Sequence, residues 1–417
     1  MNRILERNHV VVSGSNNQND VVYLMMKSFR IRYNFGLYQS MMYAKKHGCR
    51  LRVVCLEPYE LHDRHRQYFS GYVLDLLDKL KTYADQVDYL MRDSQFLVSL
   101  HSAHTIFMDQ CYLEIDQPVF QAVKNYCLKT DTILITVESN VCVPVMAVSD
   151  KEEYAARTIR PKIYRCLPDF CKAVLENEKP SKAEKDGWER FIRFKNEKLA
   201  FYGERNDPSK DRLSQLSPFL KYGFISPLMI YLDLKERTDE ASKMFLEELI
   251  VRRELAYNYV FYRKGYDQFE TMTDAWAMRT MKQHEGDSRE YVYTKEDYLE
   301  FKTHDRYFNA AMIEMVYLGK MHSYMRMYWC KKLIEWSETY KEAYRLAIEL
   351  NNTYFYDGLT PNSYAGVAWC FGRHDRAWFE RPIFGKLRYM NDHGLERKFD
   401  IEAYVHQMNQ IKEEGKK

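Results

Sequence analysis

Between residues 20 and 140, short apolar runs alternate with longer helical patterns, and this alternation limits the fold more than any other feature of the chain. Val21–Met26 (VVYLMM), Leu51–Glu57 (LRVVCLE), Thr105–Met108 (TIFM) and Thr132–Val137 (TILITV) read as strands, with Val87–Met91 a further candidate. Phe35–Lys46, Tyr68–Tyr83 and Val119–Cys127 read as the helices between them. Strands joined through helices pair in parallel, so a parallel, Rossmann-like sheet with helices on both faces is expected over residues 1–147. No G-x-G-x-x-G and no G-x-x-x-x-G-K-[ST] accompanies it. The ordinary dinucleotide and P-loop readings therefore lose their main support.

The character changes at residue 148. SDKEEYAARTIRPKI and the later KPSKAEKDG are charged and rich in breakers, so residues 148–187 read as a surface connector. From Trp188 to residue 417 the pattern is helical, giving an all-α domain. Phe245–Tyr262 (FLEELIVRRELAYNYVFY) is a strong helix with Glu248 and Arg252 at i,i+4.

Composition excludes several classes. The 62 Lys+Arg and 59 Asp+Glu leave a formal charge of +3, so nucleic-acid binding would need a local basic patch. Nine cysteines without a C-x-x-C read as free thiols in a reducing compartment. No signal-peptide pattern and no apolar run of about 18 residues is present. A soluble intracellular protein is expected, cytoplasmic or, in a eukaryote, nuclear. His62/His65 and His101/His104 lack metal-ligand company, and no G-x-S-x-G or H-E-x-x-H occurs. No metal is expected.

Two segments point to chemistry. In residues 207–220 (DPSKDRLSQLSPFL), Ser214 and Ser217 flank a turn before Pro218, which suits helix N1. Serine hydroxyls beside free helix amides bind phosphate, and serines in such places also simply cap helices. In Gly319–Trp336 (GKMHSYMRMYWCKKLIEW), Arg326 sits among aromatics on a largely apolar helix. Trp329 and Trp336 are seven residues apart, about 10 Å along one face. Such aromatics ordinarily build a core, and such an arginine ordinarily snorkels to water. A buried cation needs an anionic partner, and Asp357 in the following NNTYFYDG segment supplies a candidate.

Taken in order, LSQLSPFLKYG, FLEELIVRREL, GKMHSYMRMYW and NNTYFYDGLTPNSY resemble the flavin-binding domain of the photolyase/cryptochrome family. VSDKEEYAARTIRPKI, REYVYT, FGKLRYMND and RKFDIEAY narrow the likeness to the class II cyclobutane pyrimidine dimer photolyases. The likeness is dense from about Val148 to Tyr404; in the N-terminal third mainly Tyr23–Asn34 echoes the family.

The resemblance implies an N-terminal antenna domain, a C-terminal domain holding FAD, and light-driven electron donation from reduced flavin to a pyrimidine dimer flipped out of duplex DNA. It implies that Tyr202, Leu213, Ser214, Leu216 and Ser217 hold the FAD phosphate and ribityl region. Glu248 would hydrogen-bond the dimer, and Arg252 would support the flavin pocket. Arg326 and Asp357 would form a salt bridge beside the flavin ring, with Asn351 facing its N5. Met327 and Trp369 would line the dimer pocket, while Arg376, Lys386 and Arg388 would grip or fill the opened duplex. Double-stranded DNA containing a dimer is the implied partner, a monomer the implied state, and a deazaflavin-type or folate antenna a further possible cofactor.

Three departures from the family pattern stand out. Trp329 and Trp336 match two members of the family's tryptophan chain, but Phe308 occupies the middle position. Leu359 and Thr360 replace a charged pair after Asp357–Gly358. The strand end at Asp109 reads DQCYLEI, unlike the family's antenna-binding segment. The alternative implied is a photolyase-like flavoprotein with altered photoreduction, acting as a light sensor or on another substrate.

Overall fold

A computed structural model describes residues 3–415. Six strands form one sheet: β1 (Asn8–Val12), β2 (Asp20–Met25), β3 (Arg50–Leu56), β4 (Gln86–Leu90), β5 (Ala103–Asp109) and β6 (Ile133–Val137). Their order is β1-β6-β5-β2-β3-β4. β2 through β6 pair in parallel, as the intervening helices Phe35–His47, Asp63–Leu80 and Gln117–Thr130 require.

β1 makes the sheet mixed rather than purely parallel, because it pairs antiparallel with β6 (Asn8 opposite Val137). No helix lies between β1 and β2, so no helical crossover forces its direction. NHVVV is too short and too one-sided to announce a strand: only Val12 is buried, and Val10 is 65% exposed.

The chain divides into two compact units: residues 1–153, 157–195 and 214–261, and residues 154–156, 196–213 and 262–417. The helical stretch expected to begin a separate domain at 188 thus contributes much of the first unit. Buried polar groups explain this. Arg30, fully enclosed, donates from Nη1 to Asn140 Oδ1 (2.7 Å) and Gly223 O (2.8 Å), and from Nη2 to Ser139 O (2.6 Å). Gly223 adopts φ +65°, and a Cβ there would stand 2.2 Å from Lys27 O, so only glycine admits this approach. Arg253 Nη1 donates to Asn140 O at 2.7 Å, and the Glu254 carboxylate accepts the Cys142 and Val143 amides.

Residues 148–187, expected as a connector, carry the Ala156–Phe170 helix and the start of the Lys182–Glu197 helix. Ile159, Ile163, Cys166, Leu167 and Phe170 are buried at helical spacing. Pro161 and Pro168 within that helix hide the pattern. The second unit is built on the helices Arg306–Leu318, Ser323–Trp336, Tyr340–Tyr354, Pro361–Cys370 and Ile401–Glu414. Among the described residues, no helix is long and apolar enough to cross a membrane.

Candidate functional site

The first unit carries the acidic and serine residues. Helix Glu240–Leu246 runs into a π-helical segment, Glu247–Arg252, and continues as helix Arg253–Tyr262. Glu248 and Arg252 both lie in the π segment, which winds with an extra residue per turn. Arg252 Nε lies 3.4 Å from Glu247 Oε1, five positions back, and the Arg252 side chain is half exposed. Glu247 also takes a two-pronged bond from Arg160, at 2.8 and 2.7 Å. Its pKa is lowered because those arginine contacts outweigh burial.

Ser214 and Ser217 frame a turn whose middle residue, Gln215, is left-handed at φ 53°. Ser217 opens the short Ser217–Lys221 helix, and the cap residue is Leu216, which has no side-chain cap bond. Neither serine serves as the helix cap, so both hydroxyls keep their hydrogen-bonding capacity. Leu216 is buried, Ser214 half-buried and Ser217 exposed.

The second unit brings Arg326 and Asp357 together. Helix Arg306–Leu318 ends on Gly319 in the left-handed conformation, and Gly319 O accepts the Tyr356 amide at 2.8 Å. This latch holds the 355–360 turn beside the Ser323–Trp336 helix. Arg326 Nη2 donates to Asp357 Oδ1 at 2.8 Å, Nε donates to Met321 O at 3.2 Å, and the guanidinium lies 3.9 Å from the Phe355 ring centroid. Asp357 O accepts the Thr360 and Ser363 hydroxyls (2.9 and 3.2 Å), and a capping box between those two residues starts the Pro361–Cys370 helix.

Asn351 is buried on the preceding helix. Its Nδ2 donates to Asn352 Oδ1 at 3.0 Å, an oxygen that also accepts the Leu359 amide at 2.9 Å. Asn351 Oδ1 accepts no hydrogen bond from a described residue. Gly358 packs so closely here that a Cβ would stand 2.9 Å from Asn351 O and Asn352 Cα. Tyr202 is buried and Leu213 half-buried in this unit.

Trp329 is buried and donates from Nε1 to Met312 Sδ at 3.2 Å. Trp336, seven residues on, meets Phe308 edge-on with centroids 5.2 Å apart. Phe308 is wholly buried. The neighbouring Tyr307 turns elsewhere, its hydroxyl lying 2.8 Å from the Glu396 carboxylate and 2.9 Å from that of Glu402. It does not fill the middle position.

The basic residues cluster on the 374–390 loop. Arg388 clasps Asp375 through Nε (2.9 Å) and Nη2 (3.2 Å), while its guanidinium lies 4.3 Å from the Trp378 ring and 5.0 Å from that of Trp369. Against burial, the Arg388 guanidinium and the Arg376 backbone amide hold the Asp375 carboxyl below the usual range. Arg376 is exposed beside Trp378, and Lys386 is half exposed with Glu380 at 3.9 Å. Phe379 near the loop tip is 90% exposed. Met327 is half-buried, one position from Arg326.

No family model matches the chain. Whole-chain relatives do. It is 40% identical to a deoxyribodipyrimidine photo-lyase of Methanothermobacter thermautotrophicus, across 94% of this chain and 95% of that one. It is 34% identical to the deoxyribodipyrimidine photo-lyase of Potorous tridactylus, across 92% and 80%. The chain belongs to the deoxyribodipyrimidine photolyase family. The fold agrees: an archaeal photolyase from Sulfolobus tokodaii, solved with two FAD molecules, superposes with a TM-score of 0.66 at 14% identity, over 93% of this chain and 89% of that one.

Against this photolyase background, sequence reasoning passed over several residues. Phe355, the platform under Arg326, lies inside a quoted motif but carries no polar signal. Met312 is an ordinary helix residue until Trp329 Nε1 is found on its sulfur. Asp109, expected at an antenna strand end, is buried and accepts the amides of Met26, Lys27 and Ser28 at 2.8–3.0 Å plus the Tyr23 hydroxyl at 2.8 Å. Its carboxylate is therefore spent on the protein's own backbone.

Proposed function

We propose that this protein is a class II photolyase that splits cyclobutane pyrimidine dimers in DNA, using light absorbed by a bound FAD. The observation that carries the reading is 40% identity to a photo-lyase over nearly the full length of both chains. The donor set fits the cofactor. Ser214 and Ser217 offer hydroxyls for phosphate, and Asn351, a buried residue, offers its Oδ1 as an acceptor for a ring N–H. When bound, FAD supplies a photoexcitable one-electron donor.

The protein's own residues do the rest. Arg326, fixed by Asp357, Met321 O and Phe355, holds positive charge in one orientation, preorganised for developing negative charge. Tyr202, Leu213 and Leu216 supply apolar walls, and Arg252 holds charge near Glu247. Glu248 hydrogen-bonds the dimer where charge builds on its carbonyl. Met327 and Trp369 exclude water from the dimer, trading stacking in the duplex for stacking on protein. Arg376, Lys386 and Arg388 contact the DNA strands around the gap. Residues 1–147 form the antenna-type part, 148–187 the connecting helices and 188–417 the catalytic part. The protein acts as a monomer inside the cell. Any deazaflavin or folate antenna must bind without Asp109, whose carboxylate is fully engaged.

The test is a repair assay with dithionite-reduced, FAD-loaded protein and a dimer-containing oligonucleotide under blue light. Loss of dimers is expected; unchanged dimers would sink the proposal. Phe308 favours one second reading, a photolyase-like flavoprotein that senses light. It predicts FAD binding without repair in the same assay, and repair with chemically reduced flavin would count against it.

A further inference from the structure

The REYVYT segment, residues 289–294, is a family-like motif that the proposed repair chemistry leaves unused. It runs beside the end of the Ser323–Trp336 helix, where the Tyr293 amide donates to Trp336 O at 3.3 Å. The Tyr293 ring meets the Trp336 indole edge-on, with centroids 5.6 Å apart and planes at 75°. His304 packs on the same indole at 5.0 Å, and Tyr291 stacks on His304 at 3.9 Å.

The Tyr293 hydroxyl lies 2.7 Å from His304 Nδ1. Its oxygen also accepts the His304 backbone N–H at 3.1 Å. In the Nε2–H tautomer of His304, the phenolic proton is directed at Nδ1. A phenol that loses an electron becomes a strong acid, so it yields that electron readily only where a base takes the proton at once. A neutral imidazole at hydrogen-bond distance is such a base. His304 is exposed and can pass the proton to water, whereas Trp336 is buried.

We infer that Tyr293 is a one-electron donor to oxidised Trp336, with His304 as its proton acceptor. The Trp336 indole radical cation gains one electron and becomes neutral indole. Tyr293 loses that electron and its hydroxyl proton, leaving a neutral phenoxyl radical. The proton resides on His304 Nδ1 as imidazolium. The oxidant of Trp336 is a radical that takes one electron, such as the azide radical, which is thereby reduced to azide; that a light-driven flavin also serves rests on the proposed function. Phe308 beside Trp336 cannot hold the charge, and Tyr307 points away, so Tyr293 is the oxidisable, base-paired ring on this indole.

The test needs neither light nor flavin. Azide radicals made by pulse radiolysis oxidise tryptophan in the full chain. Tryptophanyl absorbance is expected to decay as the tyrosyl absorbance and its EPR signal grow. Y293F and W336F should each remove most of that growth, Y291F should leave it, and H304F should slow it. Equal tyrosyl growth in the wild type and Y293F overturns the inference. Should Y293F fail to fold, 3-fluorotyrosine at position 293 replaces it; a tyrosyl spectrum without fluorine hyperfine splitting overturns the inference equally. Flavin titration of the same sample keeps the two readings apart: a protein that takes no flavin yet oxidises Tyr293 ends the photolyase proposal alone.

Discussion

Arg326 Nη2 donates to Asp357 Oδ1 at 2.8 Å, joining residues 31 apart in sequence, and Phe355 backs the guanidinium at 3.9 Å. Both side chains remain partly open, at 28% and 19% exposure. A pair so placed is oriented by the protein while keeping a face for a ligand.

Asp357→Asn leaves the shape and removes the charge that orients Arg326. A hydrogen bond between charged groups contributes about 1.5–3 kcal/mol. FAD affinity is expected to fall about 10- to 100-fold, read by fluorescence titration. The melting temperature should move little, because the pair is partly solvated. An unchanged FAD Kd would show that the pair does not face the flavin.

Phe308→Trp restores an oxidisable ring between Trp329 and Trp336. Light-driven flavin reduction should be slow in the wild type and faster in the variant, followed by flavin absorbance with an external reductant present. The site is wholly buried, so the larger ring should cost about 1–3 kcal/mol of stability. Dimer repair with pre-reduced flavin should be unchanged, since that step does not use the tryptophans.

Lys386→Ala removes a half-exposed cation from the 374–390 loop. Binding to DNA should weaken alike for damaged and undamaged duplex, and the slope of log K against log salt should fall by about 1. Phe379→Ala, by contrast, should weaken binding to dimer-containing duplex without changing that slope, because an apolar side chain carries no counterion term. A changed slope for Phe379→Ala would show that Phe379 is not an apolar contact.

Burial depresses His322 from 6.5 to about 4. Its Nδ1 accepts the Tyr324 amide at the start of the Ser323–Trp336 helix, so the folded protein holds it neutral. A depressed pKa contributes stability that is present above pH 6.5 and is lost as the pH falls toward 4. The expected loss is about 3 kcal/mol, from the two values at 1.36 kcal/mol per unit. His322→Asn keeps a capping oxygen and should flatten this acid limb in urea melts at pH 7, 5.5 and 4.

Much of the architecture was legible in sequence because its signals are local. The runs at Val21–Met26, Leu51–Glu57 and Thr132–Val137 are β-branched and short, and all three lie in parallel strands. β1 was not legible, because an edge strand with one buried residue carries little hydrophobic pattern. The Ala156–Phe170 helix was masked by its two prolines, and the π segment by its ordinary helical composition.

The candidate site divides the same way. Arg326, Asn351, Asp357, Trp329 and Trp336 were named from motifs, since a buried cation or a paired indole is chemically conspicuous on a line of text. The partners were not. Met312 under Trp329, Phe355 under Arg326, and Glu247 beside Arg252 all depend on how turns wind and helices abut.

By itself the sequence determined the kind of fold, the family and the missing tryptophan at Phe308, because strand length, helical period and residue identity are local properties. Only the tertiary structure decided that Tyr307 turns to Glu396 and Glu402, that Asp109 is consumed by backbone amides, and that the Tyr293 hydroxyl meets His304 Nδ1 beside Trp336. Hydrogen bonds and ring contacts are set by distances of a few ångströms between residues far apart in the chain, and folding alone fixes those distances.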